Sequence, residues 1–164
     1  MNSAYYANKI PMYLEDIKNG KREVATLYAI RNQFRKDIAD YNIKIFCAHN
    51  SRFDVNAVNI TQRYLTKSKY RYFFPYGVEI WDTLKMARQT LKANERYENF
   101  CYENQFLTKQ GRRRYTAEII YRFLTNNLQF VESHTGLEDV LIEKEIFSFC
   151  IGEMPEIDGA LWQD

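Results

Sequence analysis

Residues 43–48, Ile43-Lys44-Ile45-Phe46-Cys47-Ala48, form a short and almost continuously apolar run in the middle of the chain. Runs of this length that lack an apolar/polar alternation are typical of strands covered on both faces. Such strands occur in layered folds, in which helices pack against a parallel sheet. The run therefore predicts a β-strand and an α/β fold.

Helical patterns precede this strand. Over residues 23–40 the apolar side chains recur at helical spacing and most charges lie off that stripe, which predicts a packing helix. Before it we expect an irregular segment over residues 1–12 that ends at Pro11, and a short helix over residues 12–17. Asn19-Gly20 is a strong turn signal between the two helices.

The strand continues into His49-Asn50-Ser51-Arg52-Phe53-Asp54. Ser51 and Asp54 form a helix-start pattern, and apolar residues follow at helical spacing. Those residues are Phe53, Ala57, Ile60 and Tyr64. Asp54 thus stands in the first turn after a strand end, where the loops of layered α/β folds form ligand-binding crevices. The simpler alternatives are an ordinary helix-start role for Asp54 and a loop hydrogen bond for His49.

Residues 67–77 interleave cations with aromatic side chains, and the cations are Lys67, Lys69 and Arg71. Positive charge beside rings is typical of sites that bind single-stranded nucleic acid, although an aromatic lid over the core explains the rings equally well. Residues 78–81 predict a second short strand. Asp82 is then expected to be the N-cap of a helix that runs from Leu84 to about Leu91.

Residues 100–108 and 112–116 flank Lys109-Gln110-Gly111, which predicts a β-hairpin. The second arm begins with Arg112, Arg113 and Arg114. Three adjacent arginines indicate a phosphate-binding arm, with a solvated edge as the alternative. A helix from Ala117 to about Leu124 is expected to follow the hairpin.

The stretch 132–140, Glu132-Ser133-His134-Thr135-Gly136-Leu137-Glu138-Asp139-Val140, carries a second pattern of functional interest. Thr135 and Glu138 form a capping box, so a helix is expected to begin at Thr135, with His134 just outside it. The spacing of Asp139, Ile142, Ile146 and Phe149 places the Asp139 carboxylate on the inward face. A buried carboxylate requires a cation, a metal, hydrogen-bond donors or a proton, although an acid in a first helical turn is also commonly a dipole partner.

Composition limits the remaining possibilities. With 164 residues, 46% apolar and 16% aromatic, the chain is long and apolar enough to build one core. Its cysteines form no CxxC pair, and neither a membrane span nor a signal peptide is visible, so we expect a soluble cytoplasmic protein with no membrane partner. The net charge is only +2, so any affinity for nucleic acid must come from local patches.

In this order, three of these stretches resemble the DEDDh branch of the DnaQ-like 3′-to-5′ exonucleases, a group of the RNase H-like superfamily. Residues 48–54 are similar to the family's second motif, residues 79–84 with Ala87-Arg88 to its following strand and helix, and residues 134–139 to its third motif. The resemblance covers roughly residues 42–150.

The resemblance implies a two-metal site and an exonuclease that releases nucleotides from single-stranded DNA or DNA 3′ ends. Asp54 and Asp139 correspond to two of four metal-binding acids, His134 to the general base, and Asn50 and Phe53 to residues that shape the nucleic-acid-binding loop. The expected ions are Mg²⁺ or Mn²⁺, which prefer carboxylate oxygens and polarise a phosphodiester. Histidine exchanges protons near neutral pH, which suits a base for the attacking water.

The family's first motif, an Asp-x-Glu on an N-terminal strand, has no counterpart before Asp54. We therefore expect a partial exonuclease domain over residues 1–150, truncated at its N-terminus, with a small parallel sheet, flanking helices, a β-hairpin insertion and a C-terminal tail over residues 151–164. Such a chain is expected to be weakly active or inactive. The strand at 43–48 would then expose an unpaired edge that favours self-association or a partner chain.

Two other functions fit the same residues. One is a non-catalytic protein that binds single-stranded nucleic acid through Lys67, Lys69, Arg71 and the arginines at 112–114. The other is an unrelated α/β interaction protein in which Asp54 and Asp139 are only helix-start residues.

Overall fold

The structure is a computed structural model, and it describes residues 7–154 and residue 156. In that part of the chain seven helices accompany two strands, which pair in parallel in one small sheet. The expected α/β class with a small parallel sheet is therefore confirmed. The chain divides into two compact units, one ending at Asn42 and one beginning at Ile43.

The described part of the first unit contains two helices, α1 (Ile10–Lys18) and α2 (Leu27–Asp40). Pro11 lies in the first turn of α1, where its missing N–H costs nothing, so the prediction of an irregular segment as far as residue 12 is wrong. The helix expected from residue 23 begins at Leu27, because the Thr26 side chain accepts a hydrogen bond from the Ala29 amide at 3.2 Å. Neither helix buries a side chain fully, so the predicted packing helix contributes no core residue.

The second unit contains, in chain order, β1 (Ile45–Ala48), α3 (Ser51–Leu65), β2 (Glu79–Asp82), α4 (Thr83–Leu91), α5 (Glu95–Glu103), α6 (Ala117–Thr125) and α7 (Gly136–Glu153). The strands pair in parallel, with Ile45 opposite Glu79 and Ala48 opposite Asp82. Ile45 is exposed, so the expected coverage of both faces over 43–48 is wrong. The predicted helices at 84–91 and 117–124 are confirmed within one residue at either end.

The core of this unit forms where α7 packs against α4 and α6. Its fully buried side chains include Met86 on α4, Tyr97 on α5, Ile120 on α6 and Ile146 on α7. In the part of the chain that the structure describes, no helix is long and apolar enough to cross a membrane. The packing of α7 fixes the position of Asp139 and Glu143, which lie on this helix.

The predicted hairpin is shorter than expected, because its first four residues are helical. Residues 100–103 lie in α5, which Asn94 caps by accepting a hydrogen bond from the Tyr97 amide at 2.9 Å. Tyr97 and Cys101 lie one turn apart and are both fully buried, so burial on a helical face outweighs the strand-like composition. A short antiparallel turn remains: Leu107 and Arg113 form a bridge, the Thr108 amide donates to the Arg112 carbonyl at 2.7 Å, and the Arg114 amide donates to the Phe106 carbonyl at 3.0 Å.

The buried face of α3 differs from the predicted one. Phe53, Ile60 and Tyr64 are exposed, whereas Val55 and Gln62 are buried. The apolar spacing correctly indicates a helix, but the stripe that it defines does not face the core.

Helix α7 begins one residue later and ends later than expected. Thr135 occupies the N-cap position without a side-chain capping bond, and Glu138 accepts a hydrogen bond from the Ser133 amide instead. The helix continues to Glu153, so the predicted loose tail from residue 151 is wrong as far as Glu153. Of the rest of that tail, only residues 154 and 156 lie within the described part.

Candidate metal centre

A cleft of about 640 Å³ opens at the carboxyl ends of β1 and β2. It is lined by the start of α3, by α4, by residues 113–117 and by Glu132 and α7. Crevices at the carboxyl ends of parallel strands are the usual ligand sites of α/β folds. The cleft is therefore the candidate functional site of this unit.

Four carboxylates line this cleft: Asp54, Glu132, Asp139 and Glu143. Asp54 comes from the first turn of α3, and the other three come from α7 and the segment that precedes it. Asp139 and Glu143 are four residues apart on α7 and thus share one face of the helix. The fold brings together acids from two distant parts of the sequence.

Glu132, His134 and Asp139 form the tightest group in the cleft region. One potential ligand atom from each lies within 4.8 Å of the other two, and His134 Nδ1 is 3.5 Å from Glu132 Oε2. Burial raises the pKa of Glu132, the nearby His134 acts in the opposite direction, and the neighbouring Asp139 carboxyl raises the pKa further. Asp139 Oδ1 is buried and has no hydrogen-bond partner among the described residues. An orphaned carboxylate oxygen beside two other potential ligand atoms is what a cation site requires.

Glu143 is the most perturbed acid of the cleft. Burial raises the pKa of its carboxyl from 4.5 to about 7, and the charges of Asp54, Asp139 and Glu132 add to the rise. The His49 amide donates a hydrogen bond to Glu143 Oε1 at 3.1 Å, which partly offsets it. Four acids that repel one another around one cleft favour a divalent cation or a proton.

His49 has a structural part in the cleft. Its Nε2 lies 2.8 Å from the Tyr115 carbonyl oxygen, which can only accept, so Nε2 carries the proton and donates. Burial lowers the pKa of His49, so the ring is neutral and Nδ1 accepts from the Thr83 hydroxyl at 3.1 Å. His49 thereby ties the end of β1 to α4 and to the segment at residue 115, as its interpretation as a loop residue predicts.

Asp82 connects the two strand ends. Its Oδ1 accepts hydrogen bonds from the Leu84 amide at 2.9 Å and from the Asn50 amide at 3.0 Å. The first bond confirms Asp82 as the N-cap of α4, and the second holds Asn50 in its left-handed conformation, with φ of 66°. Burial raises the pKa of Asp54, and the charge of Asp82 adds to that rise. Asp82 therefore positions the loop that presents Asp54.

The other predicted site residues are distributed unevenly. Asn50, Phe53, Arg113 and Arg114 line the cleft, and the Phe53 ring is 70% exposed at its edge. Arg113 donates to the Lys92 carbonyl at 2.9 Å and lies 3.7 Å from Glu98, so its guanidinium also has a structural task. Five predicted site residues do not line the cleft: Lys67, Lys69, Arg71, Arg112 and His134. His134 lies beside the cleft residue Glu132.

Sequence reasoning missed Glu132, Glu143 and Arg88 as cleft residues. A signal existed for Glu143, because it follows Asp139 by four residues in the same predicted helix and must share its face. Arg88 is contributed by the helix after β2, and its guanidinium lies 6.0 Å from the centre of the Tyr115 ring. Only the fold shows that this helix borders the same cleft as α7.

The cleft thus combines four carboxylates, the His49 imidazole and three arginines, and the His134 imidazole lies beside Glu132 and Asp139. Such a set can hold a divalent cation beside a bound anion, which is the combination that phosphate-ester chemistry uses. Comparison of the chain with protein-family models, with curated proteins and with solved structures found no match in any of the three.

Proposed function

We propose that this chain is a metal-dependent 3′-to-5′ exonuclease that releases nucleotides from single-stranded DNA or from DNA 3′ ends. The proposal includes an RNase H-like fold of the DnaQ-like kind for the unit that begins at Ile43. The observation that supports it best is the meeting of Asp54, from α3, with Glu132, Asp139 and Glu143 in one cleft. Asp54 and Asp139 are the acids that the sequence resemblance marks as metal ligands.

The donor set fits Mg²⁺ or Mn²⁺. Both ions prefer oxygen ligands, and Asp139 Oδ1 is a buried oxygen without a hydrogen-bond partner within the described chain. Asp54, Glu132, Asp139 and Glu143 would hold the ions. The family that the sequence resembles uses four metal-binding acids, and Glu132 and Glu143 would complete that set here. Bound divalent ions supply polarisation of the phosphodiester and stabilisation of the charge that develops on it.

His134 is the proposed general base. Its side chain is 42% exposed, and Nδ1 faces Glu132 at 3.5 Å. A carboxylate beside one ring nitrogen orients the imidazole. In this arrangement His134 removes a proton from the attacking water, and Glu132 positions His134.

Side chains that line the cleft supply the proposed substrate contacts. The exposed Phe53 ring offers a stacking surface for the terminal base, and the exposed side chains of Arg88 and Arg114 line the same cleft and offer charge to the phosphates. A single strand presents its bases for stacking, whereas a duplex does not. We therefore expect single-stranded ends to be preferred.

The test is digestion of a 5′-labelled single-stranded oligonucleotide with the full chain in molar excess and Mn²⁺ present. We expect slow shortening from the 3′ end, and EDTA should abolish it. The shortening should be slow because three of the four acids come from α7 and the segment before it, and only Asp54 comes from α3. Asp139→Asn should abolish it, and His134→Ala should slow it by about 10²–10⁴-fold. Glu145→Gln, an exposed acid on the same helix, is the matched control.

Shortening that persists in Asp139→Asn would indicate a contaminating nuclease. The absence of both shortening and Mn²⁺ binding in the parent chain would refute the proposal. Mn²⁺ binding is measured separately by calorimetry, so that a weak metal site is distinguished from a missing one.

A second candidate function is non-catalytic binding of single-stranded nucleic acid. It is favoured by the three arginines, Arg88, Arg113 and Arg114, that line the same cleft as the acids. Binding that weakens steeply with salt but produces no shortening with Mn²⁺ would select it.

A further inference from the structure

A second groove of about 620 Å³ lies on another face of α3, between that helix and the segment that leads into β2. Asn56, Asn59 and Arg63 form its helical wall, and Arg71, Tyr72 and Tyr76 form much of the opposite wall. We name it the 71–78 groove. It has no residue in common with the lining of the acidic cleft.

The segment that forms the groove is anchored by two adjacent residues, Phe73 and Phe74. Phe73 is buried, and its amide donates to Asn59 Oδ1 at 2.7 Å, while the Phe74 ring lies 4.8 Å from the Phe46 ring. Phe73 and Phe74 thus match the aromatic lid over the core, which is the second explanation of these rings that the sequence allows. Tyr72, by contrast, is 68% exposed and Tyr76 is fully exposed. Of the five rings in the aromatic run, Phe73 and Phe74 therefore anchor the segment, and Tyr72 and Tyr76 face solvent at the groove.

The groove is also a concentration of positive charge. Residues 55–78 contain Arg63, Lys67, Lys69 and Arg71 and no acidic residue, although the whole chain has a net charge of only +2. Arg63 and Arg71 line the groove itself, with no acid among the described residues that line it. Two acids flank this stretch in the sequence: Asp54 lines the acidic cleft, and Glu79 accepts a hydrogen bond from Trp81 Nε1 at 2.9 Å. The ligand of this groove is therefore expected to be an anion.

We propose that the 71–78 groove binds single-stranded nucleic acid, with Arg63 and Arg71 on the phosphates and Tyr72 and Tyr76 stacked on bases. Rings beside cations, with amide side chains on the facing wall, meet the requirements of a single strand, whose bases are exposed. A duplex hides its bases and would use only the two arginines. The groove thus discriminates between the two forms through its tyrosines.

In the proposed reaction, the groove would guide the substrate strand to the acidic cleft. Asp54 and Arg63 are nine residues apart on α3, which is about 14 Å along a helix at 1.5 Å per residue. A strand held in the groove can therefore run along α3 towards the acidic cleft. This path rests on the proposed function, whereas binding to the groove does not.

The test is fluorescence anisotropy of a labelled oligo-dT of 15 nucleotides with the full chain in EDTA, so that no cleavage occurs. We expect Tyr72→Ala and Tyr76→Ala each to weaken binding by about 5- to 150-fold, the range for loss of one stacked base. Tyr72→Phe keeps the ring and should bind like the parent. Tyr41→Ala, an exposed tyrosine outside the groove, is the matched control.

The arginines are tested through salt dependence. Arg63→Ala with Arg71→Ala should reduce the slope of log K against log salt by about 0.7 for each arginine removed. Lys144→Ala, an exposed cation on α7, should leave the slope unchanged. Thermal melts of all variants establish that they fold.

Three results would overturn the assignment: no binding of oligo-dT by the parent chain, unchanged affinity in both tyrosine variants, or equal affinity for a 15-base-pair duplex. Asp139→Asn should bind oligo-dT like the parent in EDTA. Failure of the nuclease proposal therefore leaves the groove result intact, and failure of the groove leaves metal-dependent shortening of short substrates intact.

Discussion

Glu143 is the residue through which pH acts most strongly on the cleft. In the folded chain the pKa of its carboxyl is raised to about 7, against 4.5 in an unfolded chain. Since the folded state holds this proton more tightly, the contribution of Glu143 to stability is fully present below about pH 4.5. It is lost as the pH rises through about 7. His49 acts in the opposite direction, because burial lowers its pKa.

Glu143→Gln should isolate this effect, because the amide oxygen can still accept the hydrogen bond from the His49 amide. In metal-free buffer with EDTA, we expect the variant to unfold at the same denaturant concentration as the parent at pH 5. At pH 8 it should be more stable by roughly 1–3 kcal/mol, since no buried charge forms. The measurement is chemical denaturation followed by circular dichroism across this range. A parallel loss of stability in both proteins would assign the pH dependence to another group.

The residues also differ in how visible they are from the sequence. Asp54 and Asp139 stand out because each lies in the first turn of a predicted helix, and in the structure both line the cleft. Glu132 carries no such local signal, and Glu143 is indicated only through its spacing of four residues from Asp139. Their place in the cleft depends on which face of α7 meets α4 and α6, and a single sequence does not show that tertiary contact.

At the level of secondary-structure elements, the junctions between strands and helices determine the geometry of the cleft. Asp82 ends β2, caps α4 and holds the Asn50 amide that begins the turn into α3. It is only 4% exposed, so both bonds are shielded from water. One carboxylate therefore sets the positions of two helix starts.

Asp82→Ala should lower the free energy of unfolding by about 2–3 kcal/mol, because a cap is lost and the Asn50 amide is left without its acceptor. Asp82→Asn keeps an oxygen acceptor and should cost less. Asp37→Ala, an acid on α2 that accepts from Gln33 in an exposed position, is the control for loss of a carboxylate. The measurement is urea denaturation; equal effects of Asp82→Ala and Asp37→Ala would contradict the junction role.

The type and bounds of a helix were predictable from the sequence where its local signals and its tertiary packing favour the same structure. α4 and α6 match their sequence patterns closely, since capping signals and apolar spacing point to the same bounds. The helix α5 was missed at residues 100–103, because the aromatic composition suits a strand and does not show that Tyr97 and Cys101 are buried on one helical face. The face of α3 was also wrong, because apolar spacing defines a stripe without showing whether another element covers it.

For the molecule as a whole, the notable feature is a two-stranded sheet in which β1 pairs only with β2 among the described residues. Two-stranded sheets are marginally stable alone, and a strand edge without a partner favours pairing with another chain. Ile45 at the start of β1 is 37% exposed, so the strand also presents apolar surface. Both features point to self-association through β1.

Ile45→Lys should weaken that association, because a charged side chain on an edge strand opposes pairing with a second strand. We expect the parent chain to form dimers or larger species as its concentration rises into the tens of micromolar, and the variant to remain monomeric over the same range. Ile60→Lys makes the same change on the exposed face of α3 and separates edge pairing from association through that helix. Sedimentation velocity at several concentrations distinguishes the cases. If the parent chain stays monomeric at all concentrations, the edge of β1 does not pair in solution and the prediction is wrong. If only Ile60→Lys weakens the association, the contact between chains lies on α3 and not on β1.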